Sequence, residues 1–127
     1  MTTRVLNAHL AQLSFIIGLE ERGELVRITR PSKWGSPFTH LRGYTSAQWG
    51  ATSRDDAIAK HEEWLIAQPE LMRALPELRG KYLCCVCVPQ KCHGHTLARY
   101  AETYPKIRRP NGDELVFEDG YVVRPMR

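Results

Sequence analysis

A chain of 127 residues is the size of one domain, and at 43% apolar and 25% charged it lies away from the low-hydrophobicity, high-charge compositions that stay disordered. A net charge of +4 helps attract a phosphate-bearing partner, but the lysines and arginines are spread along the chain. No basic-region helix or alternating basic and aromatic pattern appears, so charge alone does not make this a nucleic-acid binder. The start of the chain shows no basic segment followed by an apolar run, and no apolar stretch approaches the roughly 20 residues that span a bilayer. The expectation is a soluble, cytoplasmic protein with no membrane partner.

In chain order, Arg4–Asn7, Ser14–Ile17 and Glu24–Thr29 are β-prone, with residues 18–23 as an exposed turn between the second and third. Pro31 ends the third piece. Ser53 is placed to cap a helix, with Asp56 three residues on as the acidic partner of a capping box. Ala57, Ile58, His61, Trp64 and Leu65 then recur at helical spacing, and Pro69 stops the helix. A short helix over Glu70–Leu75 precedes Arg79-Gly80, which releases the chain into an apolar strand, residues 81–88, of the kind covered on both faces. A second long helix runs from about Cys92 to Thr103. Beyond a loop holding Lys106, Arg108 and Arg109, two β-prone pieces flank Asp119-Gly120, a tight-hairpin signal, and read as an appendage beside the main sheet. The pattern predicts one small α/β domain over residues 1–127, a mixed or mostly parallel sheet with helices packed on it, plus a C-terminal hairpin over about 106–127.

All four cysteines, Cys84, Cys85, Cys87 and Cys92, fall within nine positions, whereas a disulfide framework would scatter them. Strand alternation puts Cys85 and Cys87 on one face and Cys84 on the other. Cys92 and His93 fall where a helix begins, beside unpaired N–H groups and the positive end of the dipole, where a thiolate or a phosphate is stabilised. Gly94 would let a ligand approach the backbone, and His95 adds a second imidazole. Three readings stay open. The cysteines can be packed as small hydrophobes, most simply Cys84. Cys85, Cys87 and Cys92 with His93 or His95 can hold zinc, the one cofactor the composition suggests. Alternatively Cys92, His93 and His95 can form a catalytic or ligand-binding pocket. A phosphatase loop is excluded, because Cys-x5-Arg requires arginine where Ala98 stands. No Gly-x-Gly-x-x-Gly, Walker or His-Glu-x-x-His motif is present.

The other unusual stretch, from Arg30 to Phe38, packs two prolines, a glycine, two aromatics and two cations into nine residues. Such a restricted loop loses little entropy on binding. Its ligand-binding candidates are Arg30, Ser32, Lys33, Trp34 and Gly35, with Arg30 and Lys33 reaching a phosphate and Trp34 offering a ring face. The alternative is that Trp34 and Phe38 cap the core. Trp64 reads as a core residue and His61 as a packed or surface histidine rather than a ligand, and Trp49 has no selecting context.

These stretches together resemble a phage and bacterial family called domain of unknown function 4326. The resemblance rests on the Arg30-Pro31-Ser32-Lys33-Trp34-Gly35-Ser36-Pro37-Phe38 loop, Ser53-Arg54-Asp55-Asp56-Ala57, Leu78-Arg79-Gly80-Lys81 and the Cys85-x-Cys87-x-Pro89-x-x-Cys92-His93-Gly94-His95 segment. It covers roughly residues 4–103 and implies a phage or bacterial source, hence the host cytoplasm if phage-encoded, with no activity attached. Ser36 stands where the family pattern has Asn, and His95 where it has Asp. The hairpin after residue 105 and much of the 18–29 segment fall outside the pattern.

The preferred reading is a pocket between the Trp34 loop and the Cys87–His95 turn that takes a nucleotide-like or phosphate-bearing ligand, or a nucleic-acid end. In an enzyme, Cys92 would be the thiol, and His93 or His95 the acid and base. The competing reading is a non-catalytic nucleic-acid or protein-interaction module held by zinc on Cys85, Cys87, Cys92 and His93. If the pocket is real, the two loops must leave adjacent strands at the same sheet edge. Substrate, reaction and oligomeric state are not legible.

Overall fold

In a computed structural model, residues 3–7, 12–30, 32–39, 49–85 and 92–126 are described. The chain is an α/β domain, as the alternation of strand and helix signals predicts. Its main sheet is parallel, with β5 (Tyr82–Cys85) in the centre, β1 (Arg4–Asn7) on one side and β2 (Leu25–Arg27) on the other. Val5 and Val26 both lie beside Leu83 in register. Leu83, Cys84 and Cys85 are all buried, which accounts for the unbroken apolar run of the central strand. The rest of the predicted strand, residues 86–88, lies outside the described residues.

The segment read as a strand over Ser14–Ile17 is instead part of α1 (Leu13–Glu21), so 18–21 are helical as well. The Phe-Ile-Ile run looks β-prone locally, yet Ile16 and Leu19, one helical turn apart, are the residues that bury. Parallel neighbours of β5 also require a crossover between β1 and β2, which a turn cannot supply. Gly23, at φ 69°, closes the helix: its N–H reaches Glu20 O and that of Glu24 reaches Leu19 O, a Schellman pair.

Short parallel strands β3 (Phe38–Thr39) and β4 (Trp49–Gly50) form a second sheet, where the rings of Phe38 and Trp49 are 5.3 Å apart. Helix α2 (Arg54–Ile66) starts at Ser53, whose Oγ accepts the Asp56 N–H at 3.0 Å. Asp56 does not close the expected box onto Ser53; its carboxylate accepts from the N–H and hydroxyl of Thr52, with Lys60 3.2 Å away, and this holds it below the usual carboxylate range. Pro69 sits at the start of α3 (Pro69–Ala74), which tightens into a 3-10 turn, Leu75–Leu78. Gly80, at φ 74°, leads into β5.

Helix α4 (His93–Thr103) packs Leu97, Tyr100 and Ala101 into the core. Arg79 donates to the carbonyls of Ala101 and Tyr104 at its C-terminal end, a cation on the negative end of the dipole. Lys106 and Arg108, read as loop residues, lie on β6 (Lys106–Arg108), which joins β7 (Glu114–Glu118) and β8 (Tyr121–Met126) in an antiparallel sheet. Asp119 and Gly120, at φ 52° and 86°, make the predicted tight turn. This sheet is more than an appendage. Ile107 and Phe117 belong to the main core, and a Cβ on Gly120 would meet Pro69 O at 1.9 Å. Among the described residues no helix is long and apolar enough to cross a membrane.

Candidate functional site

Because the main sheet is parallel, β1, β2 and β5 all end at one edge. From that edge β2 runs into Ile28 and the Trp34 loop, and the chain after β5 returns to Cys92. The start of α4 therefore meets the Trp34 loop in a packed contact, with the Trp34 indole buried rather than lining an open pocket. His93 Nε2 is 3.0 Å from Ile28 O and 3.0 Å from Trp34 O, although these residues lie 65 and 59 positions away in sequence. Carbonyl oxygens only accept, so Nε2 carries the proton and is shared between them. The neutral ring then has its lone pair on Nδ1, which is 3.6 Å from Cys92 Sγ. The imidazole is thus fixed in tautomer and direction by the backbone of the neighbouring loop, the way a third group orients the base of a catalytic pair.

Cys92 is the N-cap of α4, an unusual residue there, and is 2% exposed. Its Sγ accepts the Gly94 N–H at 3.3 Å, a contact that strengthens when the sulfur is an anion. His95 is the third helical residue. Its Nδ1 lies 3.3 Å from the Cys92 N–H, the place of the acidic arm of a capping box. A carboxylate at this position can make the same bond. Gly94 has a packing reason of its own: a Cβ would come within 2.6 Å of Ile28 Cδ1 and 3.3 Å of Val5 Cγ1. The glycine lets α4 approach β1 and β2, and its N–H is turned to Cys92 rather than left open for a ligand.

In the Trp34 loop, Ser32 Oγ accepts the Trp34 N–H at 3.1 Å, and Arg30 Nη1 donates to Ser36 O at 2.5 Å. Gly35 is required because a Cβ would lie 2.8 Å from Arg30 N. Ser36 Oγ accepts the Phe38 N–H, closing the loop with a shorter arm than Asn. The indole of Trp34 is 4% exposed and belongs to the core, so it offers no open ring face; its carbonyl is what meets His93. Lys33 is exposed, 3.5 Å from Glu77 and over the Trp34 ring.

Cys85 faces the core shared with Cys92, while burial pushes the Cys84 thiol up, away from ionisation. Cys87, on which the zinc reading depends, lies outside the described residues, as do Pro31, Pro89 and the rest of 86–91. Among the described residues no three His, Cys, Asp or Glu side chains converge to hold a metal.

His61, placed by helical spacing as a packed or surface histidine, turns out to lie beside His93. It is 1% exposed, its Nδ1 has no hydrogen-bond partner, and its ring meets that of His93 edge-on at 4.9 Å. Burial, reinforced by the nearby His93, pushes it down to about 3, so it is neutral at physiological pH. Its helical spacing correctly signals a packed position, but its neighbour is set by tertiary contact alone.

No curated protein and no solved structure gives a significant match to the chain. The model of a family described as a domain of unknown function (DUF4326) matches residues 17–103, which takes in the 18–29 segment and stops short of the C-terminal sheet. That match spans more than half of the chain, and the protein belongs to the DUF4326 family.

Proposed function

We propose that this is a ligand-binding domain with a thiol-based catalytic pair, in which Cys92 is the nucleophile and His93 its base. The observation that carries the reading is the double tether of His93 Nε2 to Ile28 O and Trp34 O, which leaves Nδ1 aimed at the Cys92 sulfur. Transfer of the thiol proton to Nδ1 gives a thiolate beside an imidazolium, with the Gly94 N–H and the start of α4 stabilising the anion.

The ligand class is nucleotide-like or phosphate-bearing. The cations offered to it are Lys33, whose exposed pairing with Glu77 is weak, and Arg30, held to Ser36 O, both on the loop that His93 touches. His95 supports the pair by holding the cap. The test is protection: a panel of nucleotides should slow modification of Cys92 by methyl methanethiosulfonate, followed by mass mapping. Substitution Lys33→Glu should weaken that protection. Equal rates with and without every nucleotide would remove the ligand class, while leaving the thiol chemistry to be judged on His93.

A further inference from the structure

A second cavity lies at the other end of α4, in a region that the family pattern reaches only in part. It holds about 1030 Å³ and is walled by Arg99 and Thr103 of α4, by β6 and by the turn after it. This is the size that accommodates a small organic ligand. Most of the surface that lines it is apolar, with the buried Ile107 and Tyr100 beneath, and four cations line it: Arg99, Lys106, Arg108 and Arg109. The lining carboxylates are Glu102, whose Oε1 accepts the Thr3 N–H, and Glu114, which pairs with Arg108. Arg99 lies 3.8 Å from Glu62, and Arg109 pairs with Glu63, neither of which lines the cavity. Lys106 has no carboxylate partner among the described residues.

Arg109 adds an independent sign. Its guanidinium is mostly buried, yet Nε makes no hydrogen bond, and an unmade bond on a buried cationic donor is costly. The turn that carries it is closed by backbone hydrogen bonds. Arg109 N–H reaches Asp113 O at 2.7 Å, Gly112 N–H reaches Arg109 O at 2.9 Å, and Gly112 takes φ 94°. An anionic oxygen entering the cavity can recover the missing bond by drawing the guanidinium toward it, as planar Arg donors favour phosphate.

We infer that this cavity binds a small organic phosphate, its ring body against the apolar lining above Ile107 and its phosphate between Lys106 and Arg109. The site is separate from Cys92 and does not rest on the thiol reading. The experiment is titration of the full-length, 15N-labelled protein with phenyl phosphate, adenosine monophosphate and inorganic phosphate, reading backbone amides and the Arg109 side-chain Nε–H. The two organic phosphates should shift resonances of residues 99–114 together with Arg109 Nε–H, and inorganic phosphate should bind at least about tenfold more weakly because it has no apolar body to cover the apolar part of the lining. Lys106→Glu, at an exposed position, should weaken phenyl phosphate binding about tenfold or more, while Cys92→Ser leaves it unchanged. Absence of shifts at millimolar ligand would overturn the inference. So would shifts confined to residues 28–36 and 92–95, which would instead support the Cys92 site, or shifts produced by a single-stranded oligonucleotide alone.

Discussion

Replacing Gly94 with alanine tests the contact that brings α4 and its cap onto the sheet. The new methyl would stand 2.6 Å from Ile28 Cδ1, and Ile28 is fully buried, so relief to an ordinary contact of about 3.5–4.0 Å requires movement of roughly 1 Å in a packed core. Overpacking of this kind costs about 1–3 kcal/mol, against a gain of up to about 1 kcal/mol from alanine's helix propensity, less in a first turn. The net loss of about 1–2 kcal/mol should lower the melting temperature by about 3–10 °C for a chain of this size, read by circular dichroism. Ile28→Val removes the Cδ1 atom. Alone it should cost about 0.5–1.5 kcal/mol, but on the Gly94→Ala background it should cost little or restore stability, a coupling of about 1 kcal/mol. An alanine variant as stable as the parent, or strictly additive effects in the double variant, would refute the close approach of helix to sheet.

Acidification gives a second outcome. Because the folded-state pKa of His61 is pushed down to about 3 from the ordinary 6.5, the unfolded chain binds more protons between these values, and stability falls as pH drops through that window. At pH 5 this single group should contribute a loss of about 2 kcal/mol, so His61→Phe should narrow the difference in unfolding free energy between pH 7 and pH 5; an unchanged difference would show that His61 is not the buried neutral group. The thiol-based reading requires that elemental analysis find no stoichiometric zinc and that chelator leave the melt unchanged; about one zinc per chain would instead make the His93 tether the outer-shell support of a metal ligand and transfer Cys85, Cys87, Cys92 and His93 to metal ligation. Substitution His93→Phe should lower stability by about 1–3 kcal/mol in denaturant melts, since the Ile28 and Trp34 carbonyls lose their shared donor.

Much of this architecture is legible in the sequence where local chemistry decides it. The Ser53 cap, the Gly80 turn, the apolar β5 run, the Cys92 helix start and the Asp119-Gly120 hairpin all follow from residue type and position. What fails is what tertiary context decides. Phe15-Ile16-Ile17 has the composition of a strand, and only the need for a crossover between β1 and β2 makes it a helix. Trp34 in a polar loop looks available for a ring ligand, but the loop folds back and buries it. Gly94 looked like a ligand's approach path, while Ile28 and Val5, distant in sequence, fill that space. The tether of His93 and the presence of His61 beside it carry no periodicity or motif, since backbone carbonyls contribute no residue signature.

The central claim, that His93 activates Cys92, is tested most directly by the site-resolved rate of modification by methyl methanethiosulfonate near neutral pH, in the parent and in His93→Gln. Cys92 lies at a helix start with a base aimed at its sulfur, whereas burial holds the Cys84 thiol away from ionisation. Cys92 should therefore be modified well before Cys84 in the parent. The His93→Gln variant should slow Cys92 by about tenfold or more while leaving Cys84 unchanged. Modification of Cys84 first, or a Cys92 rate indifferent to His93, would contradict the catalytic pair.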